Sequence, residues 1–254
     1  MVTATAATTT AATASTMSTD EASPAPRRRW PVFVVLAAGL FTCALALPRA
    51  VAYGVAAGDG GRAAAVLADG GPLAPAALAD ARARYARALA IHPSDAALAL
   101  ALARLERRAA ADDPAALVAA RAHLRQAAAH APNDAFVWSL LAQTAFERGA
   151  PVEEVAAYLR LSRLTGRFEA SSMLLRVRTA LPLWERLPDD LREDAARDMA
   201  RLGADPKLRR ALFAPYLSLG YAERALFLDH AFADAGARSK FRSQILKYTR
   251  ERRS

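Results

Sequence analysis

ARARYARALAIHPSDA (residues 81–96) and ARAHLRQAAAHAPNDA (residues 120–135) are two versions of one pattern. Ala81-x3-Tyr85-x2-Ala88-x4-Pro93 in the first recurs as Ala120-x3-Leu124-x2-Ala127-x4-Pro132 in the second. Each proline leads into a polar turn, Ser94-Asp95-Ala96 or Asn133-Asp134-Ala135. Intervals of four and three put the first three residues of each set on one helix face. Proline then stops the helix, because it lacks an N–H and its ring clashes with the preceding turn. Alanine lets a second helix approach closely, and Tyr85 and Leu124 fill the space between packed pairs. The pattern predicts the same helix end used twice.

Working outward, the second copy continues into Trp138-x2-Leu141-Ala142, a turn at Gly149 and Tyr158 on the next helix. These intervals resemble the tetratricopeptide repeat, whose first helix carries W-x2-L-G and whose second carries A-x3-F/Y-x2-A before a terminal proline. The resemblance implies helical hairpins stacked as a solenoid over residues 75–166. The two prolines lie 39 positions apart where the family has 34. The extra residues fit the Ala111-Asp112-Asp113-Pro114 turn, where Asp113 can cap a helix opening with Pro114.

Composition agrees with an all-α chain. Of 254 residues, 54% are hydrophobic but only 7% aromatic. Alanine is the best helix former, and strands want the β-branched and aromatic side chains that are scarce here. A single cysteine, Cys43, excludes an intrachain disulfide, a cysteine-rich zinc site and a CxxC redox centre. The net charge of +9 sits mostly at the end: seven basic residues from Arg238 onward face only Glu251. Residues 30–237 carry about +2, too little for the broad basic face that nucleic-acid binding needs.

Residues 1–29 are an Ala/Thr/Ser tail ending in Arg27-Arg28-Arg29, expected to be disordered and cytoplasmic. The run from Trp30 to Leu47 has no charge. If the helix continues through Pro48 to Tyr53, it spans about 35 Å, one bilayer crossing with an aromatic at each interface. Three arginines before the span place the N-terminus inside and the domain outside, in the periplasm of a bacterium. Cleavage after Ala50-Val51-Ala52 as a secretory signal is the competing reading. Residues 54–74, rich in glycine, read as a linker.

After Gly166 the pattern degrades. A helix over 169–179, a break at Pro182, a helix from Asp189 or Asp190 to Gly203, one from Pro206 to Gly220 and two more over 222–235 and 237–250 are predicted. Residues 167–236 are assigned to a helical cap, which an end repeat needs to hide its open face. The segment built on Leu183, Trp184, Arg186, Leu187, Pro188, Leu191 and Arg192 is similar to one in single-span bacterial polysaccharide-biosynthesis proteins of the VpsP type and in some polymerase tails. That resemblance implies a membrane-anchored scaffold that binds protein partners in exopolysaccharide or O-antigen assembly, polymerisation or export. An adaptor or chaperone for cytochrome maturation, pilus assembly or secretion would use the same architecture, and a glycan-active enzyme is the third reading.

No catalytic, metal or cofactor constellation emerges. His92, His123, His130 and His230 lack ligand spacing. Asp112-Asp113, Glu153-Glu154 and Asp189-Asp190 all stand at helix starts, where capping and the helix dipole account for them. Trp184 is either a glycan-stacking aromatic or a core anchor. The basic terminus, residues 237–254, alternates Lys240, Arg242, Lys247, Arg250, Arg252 and Arg253 with Phe241, Ile245, Leu246 and Tyr248. These cations are candidate contacts with an anionic lipid or polymer.

Overall fold

The computed structural model describes residues 30–56 and 73–251, and for residues 30–32 the backbone alone. The predicted tail, most of the predicted linker, Arg252 and Arg253 lie outside the described residues. Among those described there are twelve α-helices, one 3₁₀ helix and no strand.

The first helix, α1 (Trp30–Ala56), runs unbroken through Pro48. Over Phe33–Ala56 it is long and apolar enough to cross a membrane. Phe33, Val35, Leu40, Phe41 and Leu45 all stand exposed, leaving no polar side, which is consistent with a bilayer crossing. The character changes at its end. Ala52 and Ala56, one turn apart, are buried, and Tyr53 donates a hydrogen bond to Asp95 at 3.3 Å. Arg49 pairs with the other oxygen of Asp95 at 3.4 Å. The last turns of α1 thus pack on the helices that follow, where Ala52 and Ala56 leave room for close approach. The helix also extends to Ala56, past the predicted linker start at 54.

The helices that follow are α2 (Pro75–Ile91), α3 (Ala96–Ala109), α4 (Ala116–His130), α5 (Ala135–Glu147), α6 (Val152–Thr165) and α7 (Ala170–Ala180). A 3₁₀ helix (Leu181–Arg186) leads to α8 (Asp189–Ala204). Short connections make consecutive helices antiparallel neighbours. Of the residues singled out for packing, Ala81, Tyr85, Ala88, Ala120, Leu124, Ala127 and Leu141 are all buried. Trp138 is only half-buried: its indole N–H donates to the Pro132 carbonyl at 2.7 Å, and its ring stacks on Tyr158, also half-buried. Pro93 and Pro132 are exposed at the turns.

The same register continues where the sequence pattern fades. Val155, Leu159 and Ser162 on α6, then Leu191, Ala195 and Asp198 on α8, repeat the intervals of four and three, and all six are buried. The turn also recurs. His92 and Ala131 end their helices at φ/ψ of −132°/76° and −138°/68°, and Asp95 and Asp134 open the next at −82°/105° and −82°/101°. Gly166 and Glu169 repeat this at −154°/73° and −74°/118°. A side chain at Gly166 would collide with the Ala135 methyl, so the third turn needs glycine there. Gly149, at φ 70°, makes the left-handed turn between α5 and α6.

The cap holds α9 (Pro206–Ala211), α10 (Phe213–Leu217), α11 (Tyr221–Ala231) and α12 (Ala235–Glu251). One helix from Pro206 to Gly220 was expected; the observed break falls at Leu212 because the Pro215 ring cannot coexist with continued bonding to Ala211. The basic terminus is not a loose tail. Phe241 and Ile245 of α12 are buried, and Phe241 meets Phe213, Tyr216, Phe227 and Phe232 in one aromatic cluster with centroids 4.9–6.1 Å apart.

Candidate functional site

Ion pairs tie the helices together in two tiers. On alternate helices, Arg107 of α3 reaches both oxygens of Glu147 on α5, at 2.7 and 2.9 Å. On the intervening set, Arg121 of α4 pairs with Glu154 of α6, and Arg160 of α6 holds Asp190 of α8 at 2.9 and 3.0 Å. Arg160 keeps the Asp190 carboxyl below its ordinary range. The acidic residues expected only to favour helix starts thus also bridge helices, and Asp189 pairs with Arg192.

The seam between α6, α7 and α8 is polar and buried. Asp198 accepts from Arg163 and Arg176, each at 2.8 Å. Arg176 also donates to the Ser162 hydroxyl at 3.1 Å and to the carbonyls of Gly166 and Arg167, each at 3.2 Å. Ser162 and Ser139 share a hydrogen bond of 2.6 Å. Every nitrogen of this guanidinium thereby meets an acceptor, which is what allows a charge to sit there. The network fastens the third turn to the fold.

The clearest open site lies along the first two turns. A cleft of about 370 Å³ is bounded by Arg49, by His92, Ser94 and Asp95 of the first turn, by Leu100, and by His130, Ala131 and Asp134 of the second. Asp95 Oδ1 accepts from the N–H groups of Ala97 and Leu98 at 2.9 and 3.1 Å; Asp134 does the same for Phe136 and Val137. Both carboxylates are thus committed to capping, and Asp95 also holds the end of α1. The Ser94 hydroxyl lies 3.2 Å from Nδ1 of His92, a contact two residues apart within the turn. The cleft offers imidazoles, one guanidinium and a strip of small apolar residues.

The other predicted residues lie elsewhere. His123 is half-buried on α4, and no group of three or more metal-ligating side chains exists among the described residues. Leu183, Leu187 and Leu191 are buried between α5, α6 and α8, and Pro188 immediately precedes α8. Trp184 is half-buried with its ring 5.0 Å from that of His230, a core anchor on one side only. Arg186 is exposed. Lys240, Arg242, Lys247 and Arg250 line the exposed side of α12. Sequence reasoning missed Arg176 and Asp198; the signal was a charged residue at each apolar helical position. Compared with known proteins, the chain matches no family model and no curated sequence.

Proposed function

We propose that the protein is a single-span, membrane-anchored binding module of tetratricopeptide-like build. The reading puts its N-terminus in the cytoplasm and its helical domain on the periplasmic side of the inner membrane. The observation that carries it is the fourfold buried register on α2, α4, α6 and α8, in a chain that also carries an apolar exposed helix near its N-terminus. A stack of this kind recognises partner segments across successive repeats, and the cleft along the first two turns supplies such a surface next to the anchor. Arg27, Arg28 and Arg29 ahead of the span support the orientation.

The process served is exopolysaccharide or O-antigen assembly, supported by the resemblance of the Leu183–Arg192 segment. The protein acts there by holding protein partners, with no catalytic residue of its own. A deletion strain should lose or shorten its surface polysaccharide. Full-length protein should restore it, and a form lacking residues 30–47 should not. Intact glycan with failed cytochrome, pilus or secretion assembly would move the function to that system. One exposed carboxylate proving indispensable in a folded protein would make it an enzyme.

A further inference from the structure

A second cleft, of about 290 Å³, opens between α9, the start of α10 and the last turns of α12. Its size is near the lower end for small-molecule sites, about 300 Å³. Arg209 and Arg210 stand on one wall and Lys247 on the other, with Phe213 and Tyr248 behind them. Arg209 is fixed in position: its guanidinium donates to the carbonyls of Gly203 and Ala204, at 2.8 and 3.4 Å, and lies 5.7 Å from the Phe232 ring centroid. Arg210 is exposed and pairs with no carboxylate among the described residues. Among the described residues Glu251, 3.8 Å from Lys247, is the only acid on the lining. The side-chain oxygen of Gln244 is buried there without a hydrogen-bond partner among the described residues. Toward an anionic guest the Gln244 carboxamide can offer its N–H groups.

Three cations against one carboxylate leave a double positive charge. That balance matches a phosphoryl dianion better than a single carboxylate, and guanidinium forks suit phosphate oxygens. We propose that this cleft binds a phosphoryl dianion, carried by a phosphorylated small molecule or by a lipid headgroup. Burial of Phe241 and Ile245 within the cap leaves α12 to present Lys247 at such a pocket rather than its apolar face to a membrane.

Full-length protein in non-ionic detergent micelles can be titrated calorimetrically with glucose 1-phosphate and, separately, with dihexanoyl phosphatidic acid. Saturable binding of either is expected, and which one binds identifies the source. Arg210→Glu and Lys247→Glu should each weaken it at least tenfold. Lys207→Glu, the same charge change on α9 but outside the lining, should weaken it less than twofold. All three residues are exposed, so helix content by circular dichroism should not change. Absence of saturable binding for both probes, or equal loss in Lys207→Glu, would overturn the proposal.

Discussion

Asp198 occupies the position that Ala88, Ala127 and Ser162 hold on the earlier helices of the register, and it is only 2% exposed. A carboxylate survives there because Arg163 and Arg176 approach it from two other helices. Arg176→Met should therefore cost about 3 kcal/mol in chemical denaturation at neutral pH, since it removes one of the two cations that face this buried carboxylate. The double variant Arg176→Met, Asp198→Leu should recover part of that loss. Burial pushes the Asp198 carboxyl up, and Arg176 and Arg163 offset this only in part. Above the unfolded value of about 3.9, the native state then keeps this proton longer than the unfolded chain does. Its contribution to stability declines as pH rises through that window. Unfolding of the wild type and of Asp198→Asn from pH 4 to 7 reads this directly. The wild type's stability relative to the variant should fall with pH, and a rise would contradict the assignment.

At the scale of the element, Asp95 and Asp134 cap α3 and α5 with matching geometry, but only Asp95 also holds α1. Replacing either by alanine removes a cap worth about 1 kcal/mol. Asp95→Ala should lose more than Asp134→Ala in thermal unfolding, and equal losses would show that the end of α1 adds nothing. The two turns were readable because Pro93 and Pro132 mark them and alanine stands at each close approach. The third was not: Arg167 takes the place of proline, Ser162 that of alanine, and the spacing shortens from 39 residues to 35. The packing of the end of α1 was hidden for a related reason. Ala52 and Ala56 are apolar enough to suit lipid and small enough to suit a helix interface, so composition cannot separate the two. The seam around Arg176 was illegible because its partners come from three helices. The break at Leu212, by contrast, was available in principle from Pro215.

For the molecule as a whole, the all-helical class and the apolar first helix were legible from alanine content and the uncharged run, whereas the aromatic core of the cap was not. Its members, from Phe213 to Phe241, are scattered among polar residues with no shared spacing. The proposed topology makes a direct prediction. Alkaline phosphatase fused after Ser254 should be active and a cytoplasmic reporter fused there silent, with the opposite pattern reversing the orientation. A soluble periplasmic product would instead indicate cleavage near Ala52.

The ion pairs between helices have a temporal meaning. Among the described residues they join helices no more than two apart in chain order: α1 to the start of α3, α2 to α3, α3 to α5, α4 to α6, α6 or α7 to α8, and α11 to α12. Loops closed by such pairings are short, so little chain entropy opposes them, and folds rich in local contacts form quickly. A chain emerging N-terminus first can close α2 onto α3, and then α4 and α5 onto them, before the cap has been delivered. The aromatic cluster must wait for Phe241, and until it arrives Phe213, Tyr216 and Phe227 stand uncovered. Aggregation during synthesis should therefore be governed by the arrival of the last helix, although the register that defines the domain is complete well before it.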